Sequence, residues 1–135
     1  MSQRILIVDD SATVRAQLST VLLAAGFLVV EAADGVEALE RILRSGVSPG
    51  GDDSVPAQAV SLVILDVNMP RKSGIEVLES LQADPQNSSI PVLVLTTEGQ
   101  PELIARARAL GAKGWMVKPF RPEQLLAAAR KLARP

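Results

Sequence analysis

The feature that most constrains this chain is an alternation: five short apolar runs, most of them rich in β-branched residues, each followed by a stretch whose apolar positions recur at helical spacing. The runs are Arg4–Val8, Phe27–Ala32, Leu62–Leu65, Val92–Leu95 and Gly114–Val117. Near-continuous apolar runs of this length belong to strands covered on both faces, and strands that alternate with helices form repeated βα units around a parallel sheet. The helices are marked in turn by Val14, Leu18, Val21, Leu22 and Ala25; by Val36, Leu39 and Leu43; by Leu78 and Leu81; by Leu103, Ala107 and Leu110; and by Leu125, Ala129 and Leu132. Pro122 suits the first turn of the fifth helix, where a missing N–H costs nothing. Gly26 and Gly111 suit the left-handed residue that ends a helix. The predicted fold is therefore α/β, a single (βα)5 doubly wound domain spanning residues 1–135.

A chain of 135 residues with 47% hydrophobic composition can bury a core of its own without a second domain. One stretch departs from the alternation. SGVSPGGDDSVPAQAV, residues 45–60, has Gly, Pro, Ser and Asp without periodicity. It is predicted to be a flexible insertion between the second helix and the third strand, with a partner-binding loop as the other reading.

Two missing residue types narrow the chemistry. Without cysteine there is no disulfide framework, thiolate metal site or cysteine nucleophile. Without histidine the commonest general base and the commonest transition-metal ligand are gone. The net charge of -1, from 14 basic and 15 acidic residues, provides no global field for nucleic acid or an anionic membrane. Apolar runs of four to six residues and the opening MSQRILIVDD match neither a membrane span nor a signal peptide. A soluble cytoplasmic protein is expected, with no direct nucleic-acid partner and no membrane partner.

In an open parallel sheet, ligands bind beyond the carboxyl ends of the strands, so the polar residues there are the candidate site residues. The first strand ends in Asp9 and Asp10, the third in Asp66, the fourth in Thr96 and the fifth in Lys118. Taken singly, each has a plain structural reading. Asp9 and Asp10 precede a helix, where an Asp or Ser11 serves as cap; Asp66 suits a turn before Pro70 and Gly74; Thr96 suits a cap or a strand; Lys118 suits a solvated surface. Their joint placement at the ends of four apolar strands is what those readings leave unexplained. Adjacent carboxylates repel unless a cation sits between them. Oxygen ligands without His or Cys favour a hard cation, Mg2+ above all, and a carboxylate beside such a cation can act as a nucleophile toward phosphorus.

The segments VDDS, LDVNMP, LTTE and KPF, in that order after the first, third, fourth and fifth strands, resemble the receiver domains of two-component response regulators, CheY-type single-domain proteins among them. The resemblance covers residues 4–133 and implies the strand order 2-1-3-4-5 of the flavodoxin-like folds. It also implies that Asp66 is a phosphoacceptor served by a histidine kinase. Asp10 would ligate Mg2+ directly and Asp9 largely through water, with Asn68 offering its backbone carbonyl. Thr96 and Lys118 would each bind a phosphoryl oxygen, and Lys118-Pro119 would be a cis peptide. Trp115 occupies the position of an aromatic switch that is more often Tyr, Phe or His. Thr97 replaces a smaller residue, and Asn68 and Glu98 hold the positions that modulate the phosphoryl lifetime.

The implied function is a phosphorylation-dependent switch that catalyses only its own phosphorylation and dephosphorylation. Its target would dock on the fourth helix, fifth strand and fifth helix, and the VDDSATVR opening favours chemotaxis. A stand-alone receiver is expected, with a phosphorelay intermediate or an excised receiver of a longer regulator as alternatives. A Mg2+-dependent aspartyl phosphatase of the haloacid dehalogenase type is disfavoured, because Asp9-Asp10-Ser11 lacks the D-x-D spacing after the first strand.

Overall fold

The computed structural model describes residues 3–45, 60–67, 74–83, 89–97 and 101–133. Among these, β1 (Arg4–Val8), α1 (Ala12–Ala24), β2 (Leu28–Ala32), α2 (Gly35–Ser45), β3 (Leu62–Asp66), α3 (Gly74–Ala83), β4 (Val92–Thr96), α4 (Pro101–Ala109), β5 (Gly114–Val117) and α5 (Pro122–Leu132) follow one another in strict alternation. The strands form one parallel sheet of order β2-β1-β3-β4-β5. This is the order the resemblance implied. Residues 46–59 of the predicted insertion lie outside the described residues.

Period-two alternation along each central strand sends its side chains to two separate cores. Leu6, Val8, Val63, Leu65, Val92 and Val94 meet Ala38 and Ile42 of α2, Leu78 and Leu81 of α3 and Ala107 of α4. Ile5, Ile7, Leu62, Ile64, Leu93 and Leu95 meet Leu18 and Leu22 of α1 and Leu125 and Ala129 of α5. Both faces of the sheet are therefore dry, which is why the strands read as unbroken apolar runs. Burying each of the larger side chains contributes about 1.5–3 kcal/mol.

Helix ends follow their local chemistry. At the end of α1, Gly26 adopts φ +96°, its N–H bonding the Leu23 carbonyl at 3.0 Å while Phe27 N–H reaches the Leu22 carbonyl at 3.1 Å. The same pair of bonds closes α4 around Gly111, with φ +98°. This Schellman arrangement satisfies carbonyls that the helix itself leaves open. It also explains why β2 starts at Leu28 instead of the expected Phe27, whose N–H is committed to the cap. In α2, Val36 is exposed while Ala38 and Ile42 are buried, so the inward face is rotated from the one that Val36 marked. Strands β3 and β4 each run one residue further than predicted, because parallel pairing continues through Asp66 opposite Leu95 and Thr96 opposite Val117.

Candidate functional site

The strand order reverses between β1 and β3, and at their carboxyl ends the acidic residues meet. Single carboxylate oxygens of Asp9, Asp10 and Asp66 lie within 4.8 Å of one another. Asp9 and Asp66 are buried, whereas Asp10 is exposed. Hydrogen bonds fix three polar atoms of Asp9. Its N–H donates to the Ala32 carbonyl at 3.1 Å, its carbonyl accepts from Arg15 Nη1 at 2.6 Å, and Oδ1 accepts the Ser11 N–H at 2.9 Å. Ser11 then caps α1 by accepting the Val14 N–H at 3.2 Å, so the hydroxyl, not an aspartate, fills the capping role.

Lys118 brings the compensating charge. Its ammonium lies 2.8 Å from Asp9 Oδ2 and 3.1 Å from Asp66 Oδ2, with the side chain 21% exposed. Burial by itself would lower the Lys118 pKa, but attraction to the carboxylates of Asp9 and Asp66 outweighs it and raises the value above the ordinary 10.5. Lys118 is thus a fixed cation at neutral pH. Asp9 Oδ2 and Asp66 Oδ2 thus share one ammonium, and each carboxylate oxygen has a further lone pair for a second cationic ligand. Three carboxylates and one ammonium leave two negative charges. An all-oxygen set with that excess charge fits a hard divalent cation.

The remaining predicted residues fall around this centre. Thr96 ends β4, fully buried, its hydroxyl donating to the Thr97 carbonyl at 3.2 Å. Lys118 N–H bonds the Thr96 carbonyl at 2.8 Å, which ties the ends of β4 and β5 together. Lys118-Pro119 is cis. Thr97 is exposed. Trp115 does not join the acidic centre. It sits on the edge strand β5, 43% exposed, with the Arg108 guanidinium of α4 5.2 Å from its ring centroid. Asn68 and Glu98 lie outside the described residues.

Sequence reading did not single out Arg15, Glu31 or Arg108, and took Gly74 only as a turn residue. Arg15 pairs with Glu31 at 3.1 Å while holding the Asp9 carbonyl; the available signal was a charged Glu inside the otherwise apolar run LVVEA. Gly74 opens α3 so close to β3 that a Cβ there would stand 2.5 Å from the Asp66 carbonyl oxygen and 2.6 Å from Val67 Cα. Arg108 becomes a partner of Trp115 only through tertiary packing.

Comparison with known proteins agrees with this geometry. The family profile described as response regulator receiver domain matches residues 5–130. The chemotaxis protein CheY of Treponema pallidum is 35% identical over 124 residues, covering 91% of this chain and 77% of that protein. Chemotaxis protein CheY1 of Helicobacter pylori is 33% identical over 123 residues, covering 90% of each. The solved structure of the chemotaxis response regulator CheY4 of Vibrio cholerae superposes with a TM-score of 0.82 at 36% identity, covering 98% of this chain and 99% of that one. With the sheet order, the acidic strand ends and the family match in agreement, this chain belongs to the response regulator receiver domain family, whose CheY-type members are signalling switches and not classical enzymes.

Proposed function

We propose that this chain accepts a phosphoryl group on Asp66 from a histidine kinase in a Mg2+-dependent reaction, and signals by changing its contacts with a protein target. The observation that carries this reading is the convergence of Asp9, Asp10 and Asp66 on one point, with Lys118 bridging two of them. An Asp66 oxygen forms a bond to phosphorus as the P–N bond to the donor imidazole breaks, and the electron pair leaves with the ring nitrogen. Carboxylate nucleophiles of this kind need positioning and charge neutralisation more than acid–base chemistry, consistent with a chain that has no histidine.

Asp9, Asp10 and Asp66, with the Asn68 carbonyl, would hold Mg2+, which when bound neutralises charge on the transferring group. Lys118 would shift from the carboxylates toward a phosphoryl oxygen, and the Thr96 hydroxyl would turn from the Thr97 carbonyl to another. Trp115 is the second residue of β5, three positions before Lys118, which follows the end of that strand. It would report the change to a target docked on the α4, β5 and α5 face. The names of the bacterial relatives support a chemotaxis pathway. The net charge of -1 supports a protein partner over nucleic acid. Among the described residues no helix is long and apolar enough to cross a membrane.

The test adds Mg2+ and then beryllofluoride, a mimic of the acyl phosphate, while following Trp115 emission, the chain's single tryptophan. Intact-mass measurement with a small-molecule phosphodonor runs in parallel. A saturable response and an added phosphoryl mass, both lost in Asp66→Asn, are expected. Phosphoryl mass retained in Asp66→Asn, or absent from the parent, refutes the assignment.

A further inference from the structure

We infer that Arg15 is a positioning residue for the acidic pocket, a clamp that orients the Asp9-Asp10 peptide so that both carboxylates address one cation. The inference rests on the cation reading above but concerns a residue that binds neither metal nor phosphate. Asp9 and Asp10 sit where β1 stops and the chain turns into α1, a point at which no strand ladder fixes the peptide between them. Arg15, one turn into α1, reaches back to that peptide and donates from Nη1 to the Asp9 carbonyl at 2.6 Å, a short charge-assisted bond. Its Nε meets Glu31 Oε1 of β2 at 3.1 Å. One planar group therefore ties α1, the end of β1 and β2 together. The side chain is 18% exposed, well sheltered for an arginine.

Guanidinium is suited to this task and ammonium is not. Two acceptors in different directions are met by separate N–H groups of a rigid fork, whereas lysine offers a point charge. The Asp9 N–H to Ala32 bond and the Ser11 N–H to Asp9 Oδ1 bond fix the two sides of Asp9. The carbonyl is the remaining handle, and rotating it would swing the Cα–Cβ bond of Asp10 away from Asp66. Glu31 has a second consequence: a lone positive charge beside the pocket would repel a divalent cation, and the carboxylate on Arg15 offsets that repulsion.

Position and charge thus predict opposite signs. If Arg15 acted only through its charge, removing it would tighten Mg2+ binding; if it orients the ligands, removal weakens binding. A residue that merely supports the fold would lower the stability of the metal-free protein and leave affinity unchanged. Thermal unfolding across a Mg2+ series at constant ionic strength separates these, because the midpoint in chelator reports the fold and the Mg2+ dependence reports the dissociation constant. The parent, Arg15→Met, Arg15→Lys and, as site control, Asp10→Asn are compared.

The expected result is a dissociation constant for Mg2+ raised about tenfold in Arg15→Met, the scale of lost support around a metal ligand, with a smaller rise in Arg15→Lys. Unchanged or tighter Mg2+ binding in Arg15→Met overturns the inference. Should that variant fail to fold, unchanged binding in Arg15→Lys does the same. A parent whose midpoint shows no saturable Mg2+ shift overturns the cation reading and the clamp together; a parent shift lost in Asp10→Asn but intact in the Arg15 variants overturns the clamp alone.

Discussion

Replacing Lys118 by Met keeps most of an unbranched stem and deletes the ammonium that lies between two buried carboxylates. At an effective dielectric constant of about 20, unit charges at the observed 2.8 and 3.1 Å attract by about 6 and about 5 kcal/mol. Those are gross values, since the ammonium also loses hydration on folding. The net cost of stranding a buried partner is about 3–5 kcal/mol, a large part of the roughly 5–15 kcal/mol that holds a domain together. With a urea slope of about 2 kcal/mol per M, the unfolding midpoint of Lys118→Met in chelator falls by about 2 M. Mg2+ should narrow this gap. The variant's pocket is one charge more negative than the parent's, so it binds the cation more tightly and gains more from it; at a concentration 100 times the dissociation constant the gain is about 2.7 kcal/mol. Urea titrations of both proteins, in chelator and in saturating Mg2+, measure all four midpoints. A variant as stable as the parent in chelator, or a deficit that Mg2+ leaves untouched, would refute the view that Lys118 compensates a cation site.

Three further outcomes are expected. The raised Lys118 pKa means that the folded chain holds this proton more tightly than the unfolded chain. Its stabilisation is full below the ordinary lysine value and is lost as pH rises through the folded one, so the stability difference between parent and Lys118→Met should be flat to about pH 9.5 and shrink above it in alkaline urea titrations. Gly74→Ala forces a methyl group against the Asp66 carbonyl and Val67 Cα, backbone atoms that yield only if Asp66 moves, so both the urea midpoint and Mg2+ affinity should fall; wild-type affinity would show that the α3 start shifts instead. Arg108→Ala removes the guanidinium over Trp115, a contact worth about 0.5–1 kcal/mol at an exposed site, and should change the Trp115 emission of the metal-free protein and enlarge its response to beryllofluoride. An identical titration would show that the contact does not restrain the ring.

The elements were legible because their physics is local. A strand buried on both faces must be apolar throughout, and Leu18, Leu22, Leu78, Leu81, Leu125 and Ala129, all marked by spacing, are all buried. Gly26 and Gly111 were legible because positive φ has few tenants. Strand ends were less so: Asp66 and Thr96 carry polar side chains but pair like their apolar neighbours, and only the facing strand reveals that. The acidic centre was visible as a list of strand-terminal residues, since parallel strands deliver their ends to one edge. What no local pattern contained was the support around it. Arg15 and Glu31 meet across 16 positions, and Gly74 approaches Asp66 through packing of α3 against the sheet. Such contacts depend on the angle at which elements pack, which periodicity does not encode.

Charge arithmetic connects the site to its proposed use. In the metal-free chain, Asp9, Asp10, Asp66 and Lys118 carry a net charge of two negatives, while Arg15 and Glu31 cancel. A divalent cation brings the centre to neutrality. Phosphorylation of Asp66, as proposed, would replace one carboxylate charge with a group of about -1.5 to -2, so the balanced centre would become negative again by about half to one charge. That excess would lie at the end of β3, beside the end of β4, where the Thr96 hydroxyl donates to the Thr97 carbonyl at 3.2 Å. Hydrogen bonds to an ionised acceptor are roughly twice as strong as those to a neutral one, so the hydroxyl gains by turning toward the phosphoryl group. Trp115 sits in the adjoining β5, opposite Val94 and two pairs before Thr96 meets Val117. A displacement at the end of β4 therefore reaches the ring through paired backbone rather than through solvent. The restraint it must overcome is the Arg108 contact, of about 0.5–1 kcal/mol. A full swing from 1% to 99% requires about 5.5 kcal/mol of differential stabilisation. One redirected hydrogen bond does not supply that, so on this reading the Lys118 shift contributes as well, and Lys118→Met in saturating Mg2+ should bind beryllofluoride with only a partial Trp115 response.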